Sequence, residues 1–509
     1  MSDQKNIPSN TITKSYKGFD LISSKIIPDC NSTGVFLKHR KTGLEVFHLL
    51  NNDEENLFAF SFRTPVKNST GAAHILEHSV FCGSEKFPLK EPFTNMMNQS
   101  VNTFLNALTY PDKTVYPASS MVRSDYFNLM DVYGDAVFFP LLKKEAFMQE
   151  AHRVEIDDKG EVSIQGVVYN EMKGAYASFD SIAADTMFRC LLKDSNYSFD
   201  SGGDPLEIPS FTYEDFKDFH KKYYRPDNCL LFLYGNIPTE MQLDFIQKRF
   251  LDRLEKTISY SVEAEKQFLE QIRSDETIAP ITKPIQVNAI APDAGSAGST
   301  VAVTWLCGET KDSHSVMELA FLEEILCGHD GSPFNKVLTE SAMGDDVVSG
   351  VIAEGRYFSY ALGLHAVKEK KARKVFDLVI KTLNDISKNG VRKSDIDCAI
   401  LAAEFSNREV LRINGPYSLI LLDRVLTSWN YSGDPYPILY FKDNFEKVRQ
   451  NAESDPEYIQ KLIRKYLLDN QKMAYVQIDP SAKYLKDRKK KEAQLIKSIR
   501  KTLDVQKTK

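Results

Sequence analysis

The segment Gly71-Ala72-Ala73-His74-Ile75-Leu76-Glu77-His78-Ser79-Val80-Phe81-Cys82-Gly83 governs how this chain is read. Asn68-Ser69-Thr70 offers cap residues before it and Gly83 a stop after it, which predicts a helix between them. Residues four apart share a helix face, so His74 and His78 project together and their ring nitrogens can meet one ion. Glu77 lies beside His78 and one turn from His74. Two imidazole ligands, with a carboxylate next to an open coordination position, are the chemical set of a zinc hydrolase. With nine histidines in the chain, composition alone gives an HxxEH in roughly one such chain in a hundred. A catalytic zinc needs a third protein ligand. Spacing leaves Glu91, Asp112, Glu145, Glu150, Glu155, Glu161 and Glu171 open for that role. Cys82, beside the helix stop, would give a more closed site.

The composition around this segment is that of a globular protein: 509 residues, 42% hydrophobic and 26% charged. The length implies two or three domains. No run nears eighteen consecutive apolar residues, so no membrane-spanning helix is expected. The opening MSDQKNIPSN carries neither a secretory nor a mitochondrial targeting pattern. Seven cysteines are dispersed without a CxxC pair, which predicts reduced thiols and a cytoplasmic location. Residues 483–509 hold eleven Lys/Arg against three Asp/Glu, so the net charge of −6 leaves −14 on the rest. An acidic body argues against nucleic acid as a partner. Walker A, GxSxG and GxGxxG motifs are absent, which leaves phosphate-loop, serine-hydrolase and dinucleotide functions without support.

Alternating apolar runs at Gly34–Leu37, Leu44–Phe47 and Leu57–Phe62 predict strands, as do Val101–Tyr110, Thr114–Pro117 and Asn228–Tyr234. Tyr110-Pro111-Asp112-Lys113 predicts a hairpin turn. Helical patterns occupy about 122–150 and 165–178. Strands and helices without strict alternation point to an α+β domain with a largely antiparallel sheet. Residues 256–299 change character and end in small and turn residues, which predicts a linker. A strand at Thr300–Leu306 and a helix near 313–327 then restart the pattern. There Phe321-Leu322-Glu323-Glu324 before Cys327-Gly328 echoes Ile75-Leu76-Glu77-His78 before Cys82-Gly83. The second copy has Ala320 and Glu324 in place of the imidazoles. The expected organisation is a catalytic domain over 1–255, a linker over 256–299, a metal-free copy over 300–482 and a basic helix over 483–509. On that helix Leu495, Ile496, Ile499 and Leu503 recur at helical spacing, as if facing an apolar partner outside the chain.

HxxEH is the inverted zinc motif of the inverzincins, and the chain resembles these pitrilysin-like metallopeptidases. Phe81–Pro88, Asn102–Asp112, Gly166–Gly174, Ser201–Pro205 and Tyr223–Asn228 resemble their presequence-protease branch. The resemblance implies two duplicated pitrilysin-type domains. It implies zinc held by His74, His78 and Glu171, with Glu77 as general base, and substrate held on the edge strand at Asn106 and Ala107. It implies hydrolysis of unfolded oligopeptides. Members of that branch resemble two such halves joined by a helical hairpin, and this chain reaches Lys509 about where the hairpin would begin. A C-terminal half or partner subunit is therefore an expected partner. The alternative expectation is a non-catalytic or incomplete peptide-binding subunit.

Overall fold

Asn56–Arg63 reads Asn-Leu-Phe-Ala-Phe-Ser-Phe-Arg and is buried along its whole length. Such a strand belongs in the middle of a sheet covered on both faces. The computed structural model describes residues 7–502 apart from Lys90, Glu91, Ala294, Ser296, Ala297, Glu354, Glu369, Leu411, Ile413 and Asn414. The chain divides into two compact units. One is built from Met1–Asn170, Phe199–Glu276 and Val410–Tyr440, the other from Glu171–Ser198, Thr277–Glu409 and Phe441–Lys509.

The first unit contains β1 (Ser15–Tyr16), β2 (Phe19–Ile27), β3 (Ser32–His39), β4 (Glu45–Leu50), β5 (Asn56–Arg63), β6 (Asn102–Leu105), β7 (Leu108–Thr109) and β8 (Lys113–Ser120). A small hairpin follows, β9 (Arg153–Ile156) and β10 (Val162–Gln165), and then β11 (Cys229–Gly235). The large sheet runs β1-β2-β3-β4-β11-β5-β8-β6, with β7 also on β8. Among the described residues of this sheet, only β4 and β11 pair in parallel. Phe58, Phe60 and Phe62 point to one face and meet Tyr126, Tyr133, Phe138 and Phe250 edge-on. Leu57 and Ala59 point to the other, where helix Tyr417–Ser432 lays down Leu421, Leu422, Val425, Leu426 and Trp429.

The second unit has β12 (Ile285–Pro292), β13 (Ser299–Glu309), β14 (Val347–Ile352), β15 (Tyr357–Val367) and β16 (Met473–Ser481), in the order β12-β16-β13-β15-β14. Its first pair is parallel and the other three are antiparallel. That is the order and direction of β4-β11-β5-β8-β6 in the first unit. A helix follows the second strand of each set, Ala72–Ser79 after β5 and Ser313–Cys327 after β13. The echo between Glu77 and Glu323 therefore falls on equivalent helices, and the α+β duplication is a feature of the topology.

The boundaries differ from the sequence expectation. The stretch expected as a linker holds helix Val262–Asp275, capped by Ser261, and strand β12. β12 is an edge strand whose alternate residues face solvent, so its apolar signal is weak. Residues 171–198 join the second unit, and 410–440 return to the first. The predicted helix over 122–150 is two helices, Arg123–Phe138 and Lys144–Glu150, interrupted around Pro140. The basic helix runs Ala482–Thr502 and finds partners within its own unit. Arg488 lies 4.2 Å over the Tyr176 ring, and Glu492 accepts from Lys173 at 2.7 Å. Leu495, Ile496 and Ile499 are half-buried, while Leu503 lies outside the described residues. Among the described residues no helix is long and apolar enough to cross a membrane.

Candidate metal centre

The HxxEH segment forms helix Ala72–Ser79, but Asn68-Ser69-Thr70 does not cap it. Gly71 is the N-cap, in the left-handed region at φ +71°. The polar triplet is occupied elsewhere. Ser69 N–H donates to Glu207 Oε2, and Ser69 oxygens accept from the Asp200 and Asp204 amides. This lashes the loop around Gly202 to the helix start. Ala73, Ile75 and Leu76 are fully buried, and the helix packs against Lys144–Glu150 and Tyr213–Tyr223. Burying Ile75 and Leu76 stabilises this seating by about 1.5–3 kcal/mol each.

That packing aims the polar residues outward together. Ligand atoms of His74, Glu77 and His78 all lie within 4.8 Å of one another, and the two rings are 4.9 Å apart at 79°. Each imidazole is held through Nδ1. His74 Nδ1 is 3.1 Å from the Gly202 carbonyl, and His78 Nδ1 is 3.2 Å from Glu150 Oε2. A carbonyl and a carboxylate oxygen only accept, so both Nδ1 atoms carry the proton. In a neutral ring held this way Nε2 is the lone-pair nitrogen, the tautomer a metal requires. Two imidazoles beside carboxylates are a donor set suited to zinc.

Below Glu77 lies a layer of buried phenols. Tyr116 and Tyr224 share a 2.6 Å hydrogen bond, and Tyr133 OH donates to the Asn106 carbonyl at 3.1 Å. Burial first, and the Glu77 charge in addition, pushes all three phenols up, so they stay neutral donors. Thr109 on β7 donates from Oγ1 to Glu77 Oε2 at 3.1 Å. A cavity of about 380 Å³ opens beside the group, lined by Glu77, His78, Phe81, Phe93, Asn106 and Ala107, with Gln149 and Glu150 on its wall. Asn106 and Ala107 follow β6, the last strand of the sheet, so the sheet edge shares one cavity with Glu77 and the His78 imidazole.

Glu171 lies on helix Val167–Ala175, exposed, and is not a member of the three-residue group. Glu150 is 6% exposed and serves His78. Cys82 points its thiol at Glu150 and the His78 carbonyl. Asp112 is buried against Lys113 and Tyr431. Glu145, Glu155 and Glu161 are exposed, and Glu91 lies outside the described residues. Sequence reasoning missed Gly202 and Thr109 as contributors. Both stand in stretches whose resemblance was visible, Ser201–Pro205 and Asn102–Asp112, but nothing in their local pattern says what they touch. In the second unit Glu323 accepts from Ser349 Oγ at 2.9 Å, with Ala320 and Glu324 where the imidazoles would stand.

Fold and donor set together define a duplicated α+β protein with a His-Glu-His cluster able to hold a metal ion, and comparison with known proteins gives its family. The profile of insulinase-type peptidase family M16 matches residues 63–178, and that of the M16 inactive domain matches 210–402. The chain belongs to peptidase family M16. Its relatives include Protein HypA of Clostridium perfringens, 37% identical over 93% of this chain and 48% of that protein. They also include the chloroplastic/mitochondrial presequence protease 1 of Arabidopsis thaliana, 35% identical over 95% and 45%. The mitochondrial presequence protease of Danio rerio is 32% identical over 95% and 47%. The chain spans about half the length of the curated relatives it matches. A protease from Helicobacter pylori shares the fold with TM-score 0.65 at 16% identity, over 86% of this chain and 98% of its own. The first half of the periplasmic protease PqqL from Escherichia coli does so with TM-score 0.59 at 15% identity, over 93% and 94%.

Proposed function

We propose that this chain carries the zinc site of an endopeptidase that hydrolyses unfolded oligopeptides. The observation behind this reading is that His74, Glu77 and His78 converge from one helix while Gly202 and Glu150 hold both Nδ1 protons. His74 and His78 are the imidazole ligands. Glu171 is proposed as the third ligand on the motif resemblance alone. When bound, zinc supplies Lewis acidity, bringing the pKa of a water toward about 7 and polarising a carbonyl. Glu77 removes a proton from the attacking water and delivers it to the leaving amine. The edge at Asn106–Ala107 takes the peptide as an added strand, through main-chain hydrogen bonds that ask little of its sequence. The seven cysteines are dispersed with no CxxC pair, which suits a reducing compartment such as the cytoplasm.

One observation favours the second reading, a catalytically incomplete peptide-binding subunit: the relatives are about twice as long. A second M16-type half is the partner this reading calls for, supplying further groups to the transition state. A single experiment addresses both. Wild type and Glu77→Gln are assayed for zinc content and for cleavage of a fluorogenic peptide, alone and with a separately produced second half from a relative. Glu77→Gln is expected to keep one zinc per chain while cleavage falls at least a hundredfold. Loss of zinc in Glu77→Gln would make Glu77 a ligand and overturn the assignment. A rate raised by the added half supports the incomplete reading, and an unchanged rate rules it out.

A further inference from the structure

We infer that Thr109 is a positioning residue for the base, and that through it the peptide-binding edge and the base are built on one stretch of chain. This rests on the hydrolase reading above and adds a residue to it. Thr109 Oγ1 lies 3.1 Å from Glu77 Oε2, and a carboxylate can only accept, so the hydroxyl donates. The terminal torsion of a glutamate is broad and roughly two-fold. A general base needs that torsion fixed, because proton transfer depends on the oxygen's placement. Thr109 is a stiff donor. Its side chain is β-branched, with restricted χ1. Its backbone is held by β7–β8 pairing, Leu108 opposite Val115 and Thr109 opposite Thr114. Thr114 is itself tied to Thr64 by a 2.7 Å hydroxyl hydrogen bond.

The placement of Thr109 in the chain gives the contact a second meaning. It is three residues beyond Asn106, whose carbonyl is fixed by Tyr133 OH at 3.1 Å and whose amide donates to Pro117 O at 3.3 Å. Both bonds anchor the start of the 106–109 segment from within the protein, and the segment ends on the hydroxyl that reaches the base. A peptide seated in register on this edge meets a base already aligned by the same segment.

The test compares wild type, Thr109→Val and Thr109→Ser as zinc-loaded full chains, with Glu77→Gln as reference. Valine keeps the shape and β-branching and removes the donor, while serine keeps the donor. Thr109→Val is expected to lower kcat roughly tenfold to a hundredfold, the worth of a hydrogen bond to a charged group, with KM within about twofold of wild type. Thr109→Ser is expected to recover most of the loss. Zinc content and the Kd of a fluorescein-labelled peptide for the metal-free protein are expected to stay at wild-type values in both. A wild-type kcat in Thr109→Val overturns the inference and leaves the hydrolase reading intact. So does a serine variant as impaired as valine, or a loss appearing in peptide Kd and KM instead of kcat, which would make the role structural. Wild type and Glu77→Gln that are equally inert, both alone and with the added second half, overturn the hydrolase reading and this inference with it.

Discussion

Both imidazoles of the HxxEH helix are oriented from behind, one by a backbone carbonyl and one by a carboxylate that is 6% exposed. A buried carboxylate facing an imidazole N–H fixes the tautomer and raises the ring's basicity toward a metal. Glu150→Ala is therefore expected to weaken zinc binding about tenfold to a hundredfold, measured by competition with a chelating dye. Glu150→Gln keeps an acceptor for His78 Nδ1 and is expected to lose less. Unchanged affinity in the alanine variant would show that Glu150 does not position the ring. HxxEH was readable because both spacings are local. In the sequence Glu150 stands among the possible ligands, because a carboxylate 72 residues downstream gives no sign of whether it meets a metal or a ring nitrogen.

At the scale of the element, the helix start is set by geometry more than by polar side chains. Gly71 takes φ +71°, and a Cβ there would lie 2.8 Å from the Gly202 carbonyl, the group that holds His74. A non-glycine residue in the left-handed region costs about 1–2 kcal/mol before any clash. Gly71→Ala is expected to lower stability by at least that amount and to weaken zinc binding as Gly202 is pushed off His74. Thermal melting and the same dye competition read the two effects, and wild-type values in both would refute the linkage. The hairpin 101–117 and the strands at 57–62 and 228–234 were legible from alternation and turn residues. Edge strand β12 was not, because half of its residues face solvent. Nor was the break between helices Arg123–Phe138 and Lys144–Glu150, where one apolar pattern runs on through Pro140.

For the whole molecule, buried neutral histidines set the acid limit of stability. Burial pushes His48 down to about 3 and His220 down to about 4. His48 is held by Thr239, and His220 by the Val137 carbonyl and a stacked Tyr224. Their folded values lie below the unfolded value of about 6.5, so below that pH the unfolded chain binds protons that the native chain refuses. Stability is complete above about pH 6.5 and falls as pH drops toward 4, by about 1.4 kcal/mol per pH unit for each such histidine once the unfolded form is protonated. Urea unfolding between pH 7 and pH 5 reads this before most carboxylates titrate. His220→Gln is expected to flatten the slope, and a flat wild-type profile would exclude the mechanism.

By itself the sequence determined what short-range physics determines. The turn residues, the two-residue alternation of central strands and the four-residue spacing of His74 and His78 each act over a few bonds. The packed fold selects the distant groups that complete them: Gly202 behind His74, Glu150 behind His78, Thr109 beside Glu77. It also decided that residues 417–440 cover the first sheet and that 171–198 belong with the second. Apolar faces such as Leu421, Leu422, Val425 and Leu426 can cover any complementary sheet, because hydrophobic burial has no direction. Their destination is set by the packing of the whole chain.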